Sequence, residues 1–290
     1  MHGVWPHARI ILRSAGSVVL CLAWVTIGLV GLIVPFAPVW SGLWMFATVG
    51  TFLWLHVARG DGYGRLRRLA RARLRTPGAG AGRVVAAATT LLVAEIGLGL
   101  LTLHMGVKSP DSTDVFTDYA KQAWGWLPVM LALVMVAPII EEIGFRGWMQ
   151  RRLEGAWGAA AAIIVTAAVF SLAHWEAVGF LNRFVFGVAA GFIAFRAGSV
   201  WLSALFHAVS NFVVGLLILF APATDDADVL RWIGEHGGIP ALLAAIVASL
   251  AVAAWILRDL PSRAATPPHG GGDGGRAANF LAFGPSAASR

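Results

Sequence analysis

The sequence predicts an all-α fold, a polytopic integral membrane helical bundle of about eight transmembrane helices. Of its 290 residues, 58% are hydrophobic and only 13% are charged, and the mean hydropathy is +0.74. Soluble domains carry about 25% charged residues. A span needs about 20 apolar residues, so the chain has room for roughly eight spans and their loops.

Apolar runs separated by charged or Gly- and Pro-rich segments mark the spans in order. They lie at about 15–34, 39–57, 84–105, 124 through 142, 158–175, 178–195, 200–220 and 239–257. The predicted organisation is an N-terminal cytoplasmic segment (1–14), N-terminal transmembrane helices with a basic cytoplasmic loop at 59–83 (15–123), a core (124–220), an outer loop with the last transmembrane helix (221–260), and a tail (261–290). The tail is rich in Gly, Pro, Ala and Ser, so we expect it to be disordered.

The distribution of charge predicts that both termini are cytoplasmic. The net charge is +7, and the arginines cluster between apolar runs, where a basic excess marks cytoplasmic loops. This pattern argues for the lipid bilayer as a partner and against nucleic acid. The basic loop could be an interfacial amphipathic helix or a solvated loop. The single cysteine, Cys21, excludes an intramolecular disulfide and a closed Cys-ligated metal site.

Two adjacent glutamates, Glu141 and Glu142, end the apolar run 127–140. A charge at membrane depth is expensive, so ionisable residues there usually face a cavity or a partner. Arg146 follows four to five residues later on the same helical face, where it can neutralise one glutamate. An ion pair explains one carboxylate and leaves the other, so this pair is the strongest sign of chemistry in the sequence.

Two histidine patterns follow in later apolar runs, Phe170 to His174 and His207 to Asn211. His207 and Asn211 are four residues apart and share one helical face. They could donate hydrogen bonds to an oxyanion, or the imidazole could ligate a metal. Either residue alone is more simply interpreted as polar bonding between helices.

Two questions depend on packing that the sequence does not give. Glu95, in the middle of the third span, could line a cavity or bond to a neighbouring helix, and we favour the structural role because nothing near it completes a site. Glu141 and His174 reach similar depth only if the fourth helix continues through its amphipathic end, 147–154.

Three motifs occur in order, each in an apolar span: Glu-Glu-x-x-x-Arg at 141–146, Phe-x-x-x-His at 170–174 and His-x-x-x-Asn at 207–211. Together with the Gly-rich stretch at 187–201, they resemble the CAAX protease and bacteriocin-processing (CPBP) family. The resemblance covers about 127–219, and the motif residues show no departure. The first three spans, the last span and the tail lie outside it.

The resemblance implies an intramembrane endopeptidase, with a cavity open to the cytosolic side, that uses activated water. In a metal-free mechanism, Glu141 is the base, His174 orients the water, and Arg146 holds Glu142 ionised. His207 and Asn211 would then stabilise the oxyanion. The candidate catalytic residues are Glu141, Glu142, Arg146, His174, His207 and Asn211.

Members of this family have long been described as metalloproteases, so a metal mechanism stays open. Glu141, His174 and His207 would then hold a divalent metal such as zinc. The implied substrates are peptides or membrane proteins, with lipid-modified substrates as one option, and the implied location is a bacterial inner (plasma) membrane. Two alternatives are a catalytically idle immunity or scaffold protein, against which the intact motifs argue, and a proton-coupled transporter using Glu95, Glu141 and His174.

Overall fold

The computed structural model describes residues 4–33, 37–59, 80–107, 119–120, 123–177, 179–220 and 226–262, and within these ranges the chain forms helices and no strand. Its helices of ten residues or more follow in chain order. They are α1 (Val4–Ile33), α2 (Pro38–Ala58), α3 (Ala81–His104), α4 (Trp126–Trp157), α5 (Ala159–Leu172), α6 (Phe180–Ala197), α7 (Val200–Phe220), α8 (Asp226–Glu235) and α9 (Gly238–Arg258).

Seven of these helices are long and apolar enough to cross a membrane, namely α1 to α4, α6, α7 and α9. The polytopic all-α prediction is therefore confirmed. The predicted span at 158–175 corresponds to α5, which has 14 residues. At 1.5 Å per residue α5 is about 21 Å long, shorter than a hydrocarbon core of about 30 Å. The described chain thus has seven candidate spans and one shorter apolar helix.

The loop predicted at 221–238 contains a further helix, α8. Apolar residues at Val229, Trp232 and Ile233 recur with helical spacing, and Ile233 is buried. Their spacing could have predicted this helix. Residues 60–79 of the basic loop, 108–118 between the third and fourth predicted spans, and the tail from 263 lie outside the described residues, so the predictions for them stay predictions.

Helix α4 lies at the centre of the bundle and contacts α1, α2, α5, α6 and α7. It stays helical through 147–154, as the shared depth of Glu141 and His174 requires. Two of its segments, Ala132–Val136 and Ile143–Gln150, are π-helical. Such widened turns are rare and frequently occur at functional sites.

Two polar side chains of α4, four residues apart, donate hydrogen bonds to two backbone carbonyls of α6 that are also four residues apart. Arg146 Nη2 donates to the Gly187 carbonyl at 3.3 Å, and Gln150 Nε2 donates to the Gly191 carbonyl at 2.9 Å. Gly187 packs so closely on α5 that an added Cβ would lie 2.9 Å from the Cβ of Ala167. Small residues four apart allow this close approach of membrane helices. This packing fixes α4, α5 and α6 around the predicted site.

Candidate functional site

A cavity of about 350 Å³ lies between α3, α4, α6, α7 and the end of α5. Four of the six predicted site residues line it: Glu141 from α4, His174 from the turn after α5, and His207 and Asn211 from α7. The structure therefore brings the three motifs together, and Glu142 and Arg146 lie behind the cavity wall. The other lining residues are Glu95, Leu133, Ala137, Phe170, Asn182, Arg183, Phe186, Ser210 and Val214.

Glu142 and Arg146 form an ion pair with no exposed surface. Arg146 Nη1 donates to Glu142 Oε1 at 2.8 Å, and both side chains are 0% exposed. The Arg146 guanidinium also lies 4.4 Å from the centre of the Phe170 ring, so the first residue of the second motif packs on the last residue of the first. The sequence predicted a Glu–Arg pair at this point. Because both side chains are fully buried, the pair holds neighbouring side chains in place and does not contact a ligand in the cavity.

His207 links the two glutamates. Its Nδ1 lies 3.1 Å from Glu142 Oε1, and its Nε2 lies 4.0 Å from Glu141 Oε2. A carboxylate accepts hydrogen bonds, so Nδ1 carries a hydrogen and the ring presents Nε2 toward Glu141 and the cavity. Glu142 therefore orients His207, a contact that the sequence analysis did not predict because the two residues are 65 positions apart.

Pro138 explains how Asn211 is held. In α4 the Ala137 N–H bonds to the Ala132 carbonyl, five residues earlier, as in a π-helix. The next bond of this pattern would join the N–H of residue 138 to the Leu133 carbonyl. Pro138 has no N–H, so this bond cannot form. The Leu133 carbonyl instead accepts a hydrogen bond from Asn211 Nδ2 at 2.9 Å. An amide nitrogen has two hydrogens, so one remains for a ligand in the cavity.

His174 is oriented by its own helix end. Its Nδ1 lies 2.8 Å from the Phe170 carbonyl, and since a carbonyl only accepts, Nδ1 donates and Nε2 carries the free lone pair. His174 reaches the surface, yet desolvation by the surrounding protein lowers the pKa of its imidazole below the usual 6.5, against the opposing effect of Glu141. A neutral imidazole at pH 7 can accept a hydrogen bond from water.

The predicted metal set was tested against the geometry. Within the described residues, no three His, Cys, Asp or Glu side chains lie close enough together to hold one metal ion, and this includes Glu141, His174 and His207. The described residues in this arrangement therefore do not fit a bound metal ion.

Three further cavity residues were missed or misread. Glu95 lines the cavity, and among the residues that the structure describes its Oε1 lacks the helix–helix hydrogen bond that we expected. Ser210, one residue before Asn211, also faces the cavity. Arg183 lines it from the first turn of α6 and forms an ion pair with Glu176. A charged residue at the start of an apolar span is the signal that could have identified Arg183.

Comparison with known proteins supports the family resemblance inferred from the three motifs. Residues 123–213 match the family model described as type II CAAX prenyl endopeptidase Rce1-like. The match includes all three motifs and confirms the resemblance predicted from them; α1 to α3 and α9 lie outside it. No curated protein and no solved structure matches the chain. The matched family implies a CAAX-protease-type endopeptidase acting on a membrane-associated peptide substrate.

Proposed function

We propose that the chain is an intramembrane endopeptidase in which Glu141 activates water to hydrolyse a peptide bond. The observation that carries this proposal is the single cavity lined by Glu141, His174, His207 and Asn211 inside a membrane-type bundle. The family match over all three motifs supports the same reaction class. A base, a water-orienting acceptor and amide or imidazole donors are the groups that acyl transfer to water requires.

In the proposed reaction, water lies between Glu141 and the lone pair of His174 Nε2. Glu141 takes one proton as the water oxygen bonds to the substrate carbonyl carbon, and the carbonyl oxygen becomes an oxyanion. The free hydrogen of Asn211 Nδ2 donates to this oxygen, as does His207 Nε2 when it carries a hydrogen. The C–N bond then breaks, and Glu141 returns the proton to the leaving amine nitrogen.

Glu142 and Arg146 act as positioning residues in this scheme. Glu142 holds His207 through Nδ1 at 3.1 Å, and Arg146 compensates the buried charge of Glu142 at 2.8 Å. Arg146 also bonds to the Gly187 carbonyl, so the pair is connected to α6. Any role they have in catalysis is exerted through His207.

The decisive test is peptidase activity of the purified full-length protein in proteoliposomes. Wild type should cleave a proteome-derived peptide pool, read by mass spectrometry, and Glu141→Gln should not. Cleavage that is lost with chelator and restored by zinc would favour the metal mechanism. Uptake of a solute coupled to protons, with no cleavage of any peptide, would favour the transporter alternative and overturn the proposal. A folded wild-type protein with neither activity would favour the idle relative.

Access from the cytosolic side, which the family resemblance implies, is part of the proposal. Trp175 lies beside His174 and is 91% exposed, whereas the natural Cys21 is 0% exposed. Trp175→Cys therefore gives a single reactive thiol next to the cavity. If both termini are cytoplasmic, α4 runs inward and α5 runs back outward, so Trp175 after α5 tests the side of access directly. Cytosolic access predicts that an impermeant thiol reagent labels Trp175→Cys in inverted membrane vesicles and not in intact cells, and an opening on the outer side predicts the reverse. Labelling only in intact cells would reverse the proposed side of access.

A further inference from the structure

Glu95 is a buried carboxylate in the cavity that the proposed mechanism does not use. It lies near the middle of α3, outside the residues matched by the family model, and it is 9% exposed. Its Oε1 has no hydrogen-bond partner among the described residues. Ser210, on α7, is 2% exposed, and its Oγ is also without a partner. Two unpaired polar groups from different helices therefore line one cavity.

Helix–helix bonding does not account for Glu95. At that level of the bundle, α3 and α9 are already joined by Ser249, whose Oγ donates to the Thr90 carbonyl at 2.6 Å and lies 3.2 Å from Ala94 N. An ionisable residue placed only to hold helices together would be expected to use such a partner. Ionisable residues that face a cavity within the membrane instead commonly mark the path of a ligand.

An ionised carboxylate this deep needs a proton or a cation to neutralise it. The guanidinium of Arg183, which lines the same cavity, pairs with Glu176 through Nη2, and its buried Nη1 has no partner among the described residues. The guanidinium of Arg146 pairs with Glu142. Neither arginine forms an ion pair with Glu95 in the described part of the chain. A lysine ammonium offers three N–H donors and an arginine guanidinium five, with no acceptor. Such a group has enough donors for both Glu95 Oε1 and the oxygen of Ser210.

We propose that Glu95 and Ser210 form a subsite that receives a lysine or arginine side chain of the substrate at a fixed position from the scissile bond. This inference rests on the proposed peptidase function, because the subsite shares its cavity with Glu141. It names a substrate class, namely peptides with one basic residue close to the cleavage point. A site built for a polar group can reject an analogue lacking that group by up to about 10⁴–10⁵.

The first test needs no variant. The wild-type protein in proteoliposomes is given two versions of one proteome-derived peptide pool, native and with all lysines acetylated. In the native pool, cleavage sites should be enriched in Lys or Arg at a single position. In the acetylated pool, the lysine sites should be lost and the arginine sites kept. Cleavage sites without a basic preference would overturn the inference, as would equal cleavage of lysine sites in both pools.

The second test assigns the preference to Glu95. Glu95→Gln keeps the shape and removes the charge, and it should lower kcat/KM for a lysine peptide at least about 100-fold, mainly through KM. The norleucine analogue of that peptide should be cleaved at an unchanged or higher rate. Glu95→Asp should keep the basic preference. Glu154→Gln is the matched control, since Glu154 is buried and does not line the cavity, and its cleavage profile should equal wild type.

The outcomes separate this inference from the function beneath it. If no peptide is cleaved in a Glu141-dependent manner, the proposed function fails and the subsite falls with it. If cleavage depends on Glu141 and Glu95→Gln keeps the wild-type profile, the subsite alone fails, and Glu95 then holds only water or a proton. If Glu95→Gln does not fold, the comparison of native and acetylated pools still decides whether a basic subsite exists.

Discussion

Glu141 and Glu142 are adjacent in α4, yet the same Glu→Gln substitution should affect them in different ways. Glu142 Oε1 accepts from Arg146 at 2.8 Å and from His207 at 3.1 Å, and it is fully buried. Glutamine at this position can still accept through one oxygen but carries no charge. Arg146 is also fully buried, so Glu142→Gln leaves it uncompensated. Breaking a buried pair in this way costs about 3–5 kcal/mol.

Glu141 has no such partner to lose. Within the described residues its buried Oε2 has no hydrogen bond, and His207 Nε2 lies 4.0 Å away. Glu141→Gln should therefore leave stability close to wild type while removing the general base, which is worth about 10²–10⁴ in rate. For Glu142→Gln, the stability loss corresponds to a Tm lower by roughly 6–20 °C at about 2–4 °C per kcal/mol, and activity should also fall because His207 is no longer held.

The assay is the initial cleavage rate beside thermal unfolding in the same detergent for wild type and both variants. Each variant is the control for the other, because the chemical change is identical and the positions are neighbours. Equal Tm values for the two variants would refute the reasoning about burial. Turnover at the wild-type rate by Glu141→Gln would remove the central assignment.

Four further predictions follow from the packing. Pro138→Ala supplies an N–H that competes with Asn211 for the Leu133 carbonyl. The kcat should fall by up to about 10²–10³, the effect of one lost oxyanion donor, with no loss of Tm. An unchanged kcat would contradict the conclusion that Pro138 leaves the Leu133 carbonyl free for Asn211. Gly187→Ala puts a Cβ 2.9 Å from the Cβ of Ala167 in α5, so the free energy of unfolding should fall by about 1–3 kcal/mol. A wild-type Tm would mean that α5 and α6 move apart without cost. Because the pKa of His174 is lowered from 6.5, its neutral form persists on acidification, and kcat/KM should be retained down to below pH 6.5; a His174-dependent fall that begins at or above pH 7 would oppose this. A reporter fused to the C-terminus should be active only in the cytoplasm if both termini lie there.

The sequence predicted the candidate site to the level of motifs. Apolar spans bearing costly polar residues identified Glu141, His174, His207 and Asn211, and all four line one cavity. Residue spacing alone did not distinguish Glu141, which borders the cavity, from its fully buried neighbour Glu142, and only the family resemblance gave them different roles. On a helix the two side chains differ only by about 100° of rotation, and which of them meets Arg146 and His207 depends on how α4 faces α7.

The sequence by itself determined the membrane class, the positions of the long helices and the pairing of Arg146 with one of the two neighbouring glutamates. These properties are local: a span needs only a run of apolar residues, and the pair needs only a four-residue spacing. Tertiary structure decided that α5 is short, that Asn211 bonds to the Leu133 carbonyl 78 positions away, and that Glu95 lines the cavity with an Oε1 that has no partner in the described part of the chain. These depend on which helix faces lie against one another, since contacts between distant residues form only when side chains of several helices pack at the same depth.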